Sequence, residues 1–250
     1  MGYKLKRITI RPNGTEQQIR PKVEPKELCF TANTANSTVQ LTKQGSPTSV
    51  TLETSTDWKT WTAYSIWSTI TLTSEWDKIY FRNTSETDTE FGWSSSNYYQ
   101  FAMSWSIAAS GDIGYLLNKN STLEASSFCF YRLFMNCTSL TATPTLPATT
   151  VNQYSYNNMF KGCTSLETLP TLPATNISEY CYAYMFSGCT KIKLSATQTW
   201  DYQTAYRMPA TWTWTTGTGA LNQMFFGTWW TFTSNPSVNT TYYTSNTVVS

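Results

Sequence analysis

The 250-residue chain contains no histidine. That removes the commonest general base and the side chain that most often ligates a metal at neutral pH. Charged residues make up only 13%, about half the ~25% of an ordinary soluble domain. Net charge is +2, too small for a general nucleic-acid binder, so nucleic acid is not an expected partner. No apolar run approaches the ~18 residues of a membrane span, and no membrane insertion is expected. The opening MGYKLKRITIRPNG is basic but has no apolar h-region, so it does not read as a secretory signal. No Gly-rich phosphate loop, Ser-centred elbow or zinc-spaced Cys/His set occurs. The nearest thing to a glycosidase carboxylate pair is Glu86, Asp88 and Glu90 in SETDTEF. Alternate acidic residues in so polar a stretch more simply form a solvated edge. An enzyme is not expected, nor is a cofactor.

What fills the space is Thr, Ser and Asn, with 16% aromatic residues including 11 Trp and 16 Tyr. A polar, weakly charged surface of this kind suits strands and stacked repeats. Charge is uneven along the chain. Residues 1–27 hold seven Lys/Arg against three Glu, whereas the remainder is slightly acidic. KLKRITIRP alternates basic and apolar residues, and Pro12, Pro21 and Pro25 then interrupt it. This segment reads as an extended basic arm, serving either as a linker or as an anchor to a partner.

Residues 28–109 read as an all-β domain, a small sandwich or barrel. LCFTA, TVQLT, SVTLETS, TAYSI, TITLT and KIYFRN are short β-branched and aromatic runs separated by turn residues. Between two of them lies STDWKTW (Ser55–Trp61), which resembles the Asp-box hairpin turn with Lys59 at the glycine position. Asp57 is expected to cap that turn and Trp61 to cover the sheet.

Residues 110–195 repeat. Cys137, Cys163 and Cys189 recur at a constant step of 26, and so do Phe128/Tyr154/Tyr180, Phe130/Tyr156/Tyr182, Phe134/Phe160/Phe186 and Leu140/Leu166/Ile192. A period between 20 and 29 with several apolar columns predicts a short leucine-rich-repeat solenoid. Residues 196–250 carry stretched echoes, MPATW for LPATT and QMFFGT for NMFKGC, and read as a degenerate repeat and aromatic C-terminal cap. The fold class expected is therefore mainly β with short helices: arm, sandwich-like domain, solenoid, cap.

The cysteines raise zinc, disulfides or catalysis as alternatives. The closest pairs, Cys129/Cys137 and Cys181/Cys189, are eight residues apart, which is not zinc spacing. Residues one period apart should sit one rung apart, making Cys137, Cys163 and Cys189 a structural ladder. Cys129 and Cys181 share a column with Ser155, and a column that swaps Cys for Ser behaves as small, weakly polar core filler. An oxidising setting would permit a disulfide within a ladder without requiring one. No metal site is expected.

The unit Y-x-Y-x-x-M-F-x-G-C-T-S-L-x-x-x-P-x-L-P-A-T, as in Tyr154–Thr175, resembles the BspA-type leucine-rich repeat. Over about residues 28–195, with NYYQFAMSWSIAASGDIGYLL ahead of the repeats, the chain is similar to proteins of gut Bacteroidales and of the phages that infect them, including crAss-like phages. The resemblance implies surface display, adhesion or a virion part rather than catalysis. The expectation is a phage structural protein, such as a head fibre, decoration or tail-associated protein, located in the virion and held to capsid or tail proteins by residues 1–27. Arg7, Arg11, Arg20 and Lys22 are the candidate anchors, since arginine pairs bidentately with acidic groups. The alternative is a glycan- or receptor-binding adhesin on a bacterial cell surface, with Trp212, Trp214, Trp229 and Trp230 as candidate binding residues. Those tryptophans are more simply read as a cover over the last rung, because an end rung needs one. A homo-oligomer is expected in either case.

Overall fold

The computed structural model describes residues 25–85, 87–117, 124–232 and 234–245. Over the described residues the protein is mainly β, with several sheets, no barrel and essentially no helix. Eight strands come first: β1 (Leu28–Ala32), β2 (Ser37–Gln44), β3 (Leu52–Ser55), β4 (Thr62–Tyr64), β5 (Thr69–Leu72), β6 (Lys78–Asn83), β7 (Tyr98–Ser104) and β8 (Ile107–Ser110). Strands β8, β1, β6, β3 and β4 form one antiparallel ladder, and β5, β2 and β7 form a second. Strand β2 shows the period-2 logic: Ser37, Val39 and Leu41 are buried, and the residues between them are half-exposed. The two sheets meet through aromatic edges. Phe101 of β7 lies 4.9 Å from Phe30 of β1 and 5.6 Å from Phe81 of β6, ring centre to ring centre.

The STDWKTW turn joins β3 to β4. The Asp57 carboxylate accepts from the Lys59 and Thr60 amides, each at 2.8 Å, and from the Ser55 hydroxyl at 3.0 Å. Trp61 lies under the Arg82 guanidinium at 3.9 Å, and Arg82 pairs with Glu53 across β3 and β6 at 2.7 Å.

Among the described residues nine further strands follow, most of two or three residues: β9 (Glu124–Ala125), β10 (Leu140–Ala142), β11 (Thr150–Val151), β12 (Asn176–Ile177), β13 (Lys193–Ser195), β14 (Thr204–Met208), β15 (Thr215–Thr216), β16 (Trp229–Trp230) and β17 (Thr240–Thr244). Strand β10 pairs parallel with β8 and so extends the first sheet to six strands. The division expected at residue 110 therefore falls inside a continuous sheet. Strands β9, β11, β12 and β15 form a fully parallel ladder, pairing Glu124, Thr150, Asn176 and Thr215 in turn. Successive rungs come from residues 26 apart, except the last, where the step lengthens to 39. Strands β14, β17, β13 and β16 make the C-terminal sheet.

The other limb of each repeat corrects the expectation of short helices. Among the described residues the one helical segment is a single 3-10 turn, Ile113–Leu116. In the repeats every fourth residue is left-handed: Phe128, Arg132 and Asn136 have φ near 60°, as do Tyr154 and Asn158, with Gly162 at 75°. Tyr180, Tyr184 and Gly188 continue the pattern at 51°, 57° and 77°. An α-helix needs negative φ throughout and a bond from each amide to the carbonyl four residues back. Here the amides alternate. Met135 bonds three residues back to Arg132 at 3.0 Å, but Phe134 reaches into the next repeat, to the Met159 carbonyl at 2.9 Å. Phe160 reaches Met185 and Phe186 reaches Met224 in the same way, each at 2.9 Å. Each limb is a ribbon of turns sewn to its neighbours.

Stacking of these ribbons aligns phenylalanines. Phe101, Phe134, Phe160, Phe186 and Phe225 form one column with centroid spacings of 5.3, 5.3, 5.6 and 5.4 Å. The column begins on β7 of the sandwich and ends in the last turn ribbon. All five rings are fully buried and belong to one hydrophobic core running the length of the described chain. The outward amides at the far end are met by another segment: Gln223 donates to the Asn235 side chain at 2.5 Å and Phe225 to the Ser234 carbonyl at 3.2 Å.

Two substitutions test this core. Phe160→Ala removes the central ring and is expected to cost about 3–5 kcal/mol in denaturant unfolding. Tyr182 occupies a neighbouring buried column, and its hydroxyl has no hydrogen-bond partner among the described residues. Phe130 already fills the equivalent place two rungs earlier. Tyr182→Phe is therefore expected to leave unfolding free energy unchanged or raise it by about 1 kcal/mol. A loss above 1 kcal/mol would mean that the hydroxyl is paired.

Candidate functional site

The C-terminal sheet builds an open groove. Strand β13 continues from the third repeat, and β16 pairs beside it in parallel, Lys193 against Trp229 and Leu194 against Trp230. Pleating then sorts the side chains. Leu194 is buried and Trp230 packs on the core, whereas Lys193 and Trp229 face solvent. The residues between β13 and β14 form a tight excursion, closed by the Thr199 amide on the Tyr202 carbonyl at 3.1 Å. The Gln203 side-chain amide bonds the Trp200 carbonyl at 3.1 Å and fixes the turn that carries Trp200 and Asp201. Trp200 is 87% exposed and Trp229 64% exposed. Together with Lys193, Asp201, Gln203 and Thr204 they line an open groove of about 620 Å³.

The tryptophans expected to act together divide. Trp212 and Trp214 precede β15, with ring centres 6.4 Å apart in an edge-on pair. They are held by the Trp214 amide on the Thr175 carbonyl at 2.9 Å, and the Arg207 guanidinium lies 5.8 Å from the Trp212 ring centre. Both rings are largely exposed, at 56% and 79%. Trp229 and Trp230 belong to β16 in the other sheet and turn to opposite sides. Trp230 packs on the core and is the least available of the four. Trp200 and Asp201 were not among the expected site residues. Their signal lies in the lengthened last step, which adds the excursion carrying TWDYQ. Arg7, Arg11, Arg20 and Lys22 lie outside the described residues. The last residues of the basic segment are described and tied down. The Lys26 carbonyl accepts from the Asp112 amide at 2.8 Å, and the Trp58 indole donates to the Glu27 carboxylate at 2.5 Å.

A second set of exposed indoles sits at sandwich turns. Trp67, Trp76 and Trp105 all have left-handed φ, at 77°, 71° and 67°. The Trp76 backbone amide donates to the Ala32 carbonyl, and the Ser106 carbonyl beside Trp105 accepts from the Asn33 backbone amide, so these two flank the β1–β2 turn.

The six cysteines are buried and unbridged. The Cys137, Cys163 and Cys189 thiols donate to the carbonyls of Phe101, Phe134 and Phe160, at 3.1, 3.0 and 3.0 Å. Each thiol thus serves the carbonyl of the phenylalanine in the preceding rung. In the other column the Ser155 hydroxyl donates to Asn152 and Ser126 carbonyls at 2.8 and 2.7 Å. Burial pushes the Cys163, Cys129 and Cys181 thiols up to about 12, and Cys137 and Cys189 well above the ordinary value. Thiols so placed are neither nucleophiles nor ready ligands. Among the described residues no group of three or more Cys, Asp or Glu is placed to hold a metal ion. Of the acidic SETDTEF stretch, Asp88 accepts from Asn83 and Ser85, each at 2.8 Å, and Glu90 from Thr48 at 3.3 Å.

Comparison of the chain with protein-family profiles, curated proteins and solved structures returns no match.

The thiol placement has a pH consequence. A buried thiol whose pKa is raised stabilises the fold fully below about pH 9 and loses that contribution as pH climbs toward 12. The denaturation midpoint is expected to fall progressively over that window. At pH 8 the native protein should leave its thiols unmodified by a disulfide reagent such as DTNB, and the guanidinium-unfolded chain should titrate all six.

Proposed function

We propose that this chain is a non-enzymatic structural protein of a phage particle, a head fibre, decoration or tail-associated protein. In this reading residues 1–27 grip a capsid or tail protein through Arg7, Arg11, Arg20 and Lys22, and the β-rich remainder projects. The stack of repeats is a short leucine-rich-repeat solenoid of the BspA type. The observation that carries the reading is the phenylalanine column running unbroken from Phe101 to Phe225. One core continuous from sandwich to last rung makes a stiff spacer, able to hold its far end at a fixed distance from an anchored base. The repeat resemblance and the anchoring arm supply the phage setting, and assembly as a homo-oligomer accompanies it.

A second reading is an adhesin displayed on a bacterial surface, binding a glycan or receptor. It is favoured by the four strongly exposed tryptophans of the C-terminal part, Trp200, Trp212, Trp214 and Trp229. Water-facing indoles are costly unless something covers them.

Quantitative mass spectrometry of purified gut phage particles separates the two. The structural reading expects many copies per particle, and loss of the chain from particles when residues 1–27 are deleted. Absence of the full-length chain from particles, or incorporation that survives the deletion, would overturn the anchored-virion reading.

A further inference from the structure

We propose that the groove between the β13–β14 excursion and β16 binds a neutral glycan. The proposal rests on the receptor-binding reading above and holds whether the chain is carried by a particle or a cell.

Two exposed indoles, Trp200 and Trp229, stand on the groove among polar groups. They come from different parts of the chain. One is carried by an inserted turn and the other by the strand added beside β13. Neither ring serves the core: both are strongly exposed, and Leu194 and Trp230 make the core contacts of β13 and β16. The apolar faces of pyranose rings stack on indoles of this exposure, and their hydroxyls need both donors and acceptors nearby. Lys193 offers only donors, Asp201 only acceptors, and Gln203 and Thr204 offer both. Gln203 already spends one donor on the Trp200 carbonyl, which leaves its carbonyl oxygen as an acceptor.

Charge narrows the ligand class further. Among the described residues the groove is lined by one cation, Lys193, and one anion, Asp201. That balance gives no net attraction to a phosphate, sulfate or uronic acid, which arginine clusters usually capture. A neutral, hydroxyl-rich chain fits the inventory. The groove's volume of about 620 Å³ lies within the ordinary ligand-site range of roughly 300–1,000 Å³. Its open form suits a stretch of a longer polymer rather than an enclosed monosaccharide.

Trp212 and Trp214 provide the internal comparison. They are also strongly exposed, but they lie outside the groove, beside Arg207 and the backbone of residues 173–175.

The test is a glycan array carrying neutral and anionic glycans, probed with the full chain, followed by calorimetric titration of the strongest neutral glycan. Trp200→Ala and Trp229→Ala are each expected to weaken binding by at least about tenfold. Trp212→Ala is expected to change it less than about threefold. Both groove residues are surface side chains, and unchanged circular dichroism and melting temperature would show that the variants are folded. Binding that persists in both groove variants overturns this site while leaving receptor binding in place. Binding only to anionic glycans overturns the ligand class. No binding to any glycan on the array overturns the glycan reading itself, without bearing on particle incorporation.

Discussion

Each turn ribbon in this protein leaves every second amide without an acceptor in its own repeat. Phe134, Phe160 and Phe186 send their N–H groups to Met159, Met185 and Met224 of the following rung. Buried amides cannot stay unpaired without a penalty of about 1–3 kcal/mol each. No repeat is therefore viable alone, and the stack must begin and end on something different. It begins on β7, where the Phe101 amide meets the Leu133 carbonyl at 2.8 Å, and ends on Ser234 and Asn235. The sandwich and the C-terminal segment are as much closures of the stack as units in their own right. The cysteines answer the same demand from the carbonyl side, each thiol serving a carbonyl one rung back.

The strands of the first two sheets were largely legible in the sequence, because they alternate and their turns carry the expected residues. LCFTA and KIYFRN coincide with β1 and β6, and TVQLT lies inside β2. The repeat period was equally legible. What misled was the limb between the repeat strands, which the leucine-rich-repeat reading filled with short helices that the local spacing does not contradict. Phe130, Leu133, Phe134 and Cys137 are spaced i, i+3, i+4, i+7, as on an amphipathic helix. A turn ribbon with a left-handed residue every fourth position buries nearly the same set, and spacing does not separate a period of four from one of 3.6. The discriminating sign is local: Gly162 and Gly188 at ribbon ends, and Asn136 and Asn158 among the left-handed positions.

The groove was less legible. A cluster of tryptophans in a short stretch does not say which face each ring takes. Trp229 and Trp230 are neighbours in sequence and part company in space, because strand pleating sends them to opposite sides. Trp200 and Lys193 meet Trp229 only through the pairing of β13 with β16, a contact made across the lengthened last step. Departure from the period, rather than the period itself, marks where the chain stops building rungs and starts building a surface.

The uniformity of the phenylalanine column makes length a modular quantity. Its rings repeat at 5.3 to 5.6 Å, and nothing in an interior rung records how many others lie on either side. A duplicated or lost 26-residue segment would slide the terminal groove by one ring spacing and leave both closures intact. Each 26-residue unit gained or lost would thus lengthen or shorten the stack in a step of about 5 Å.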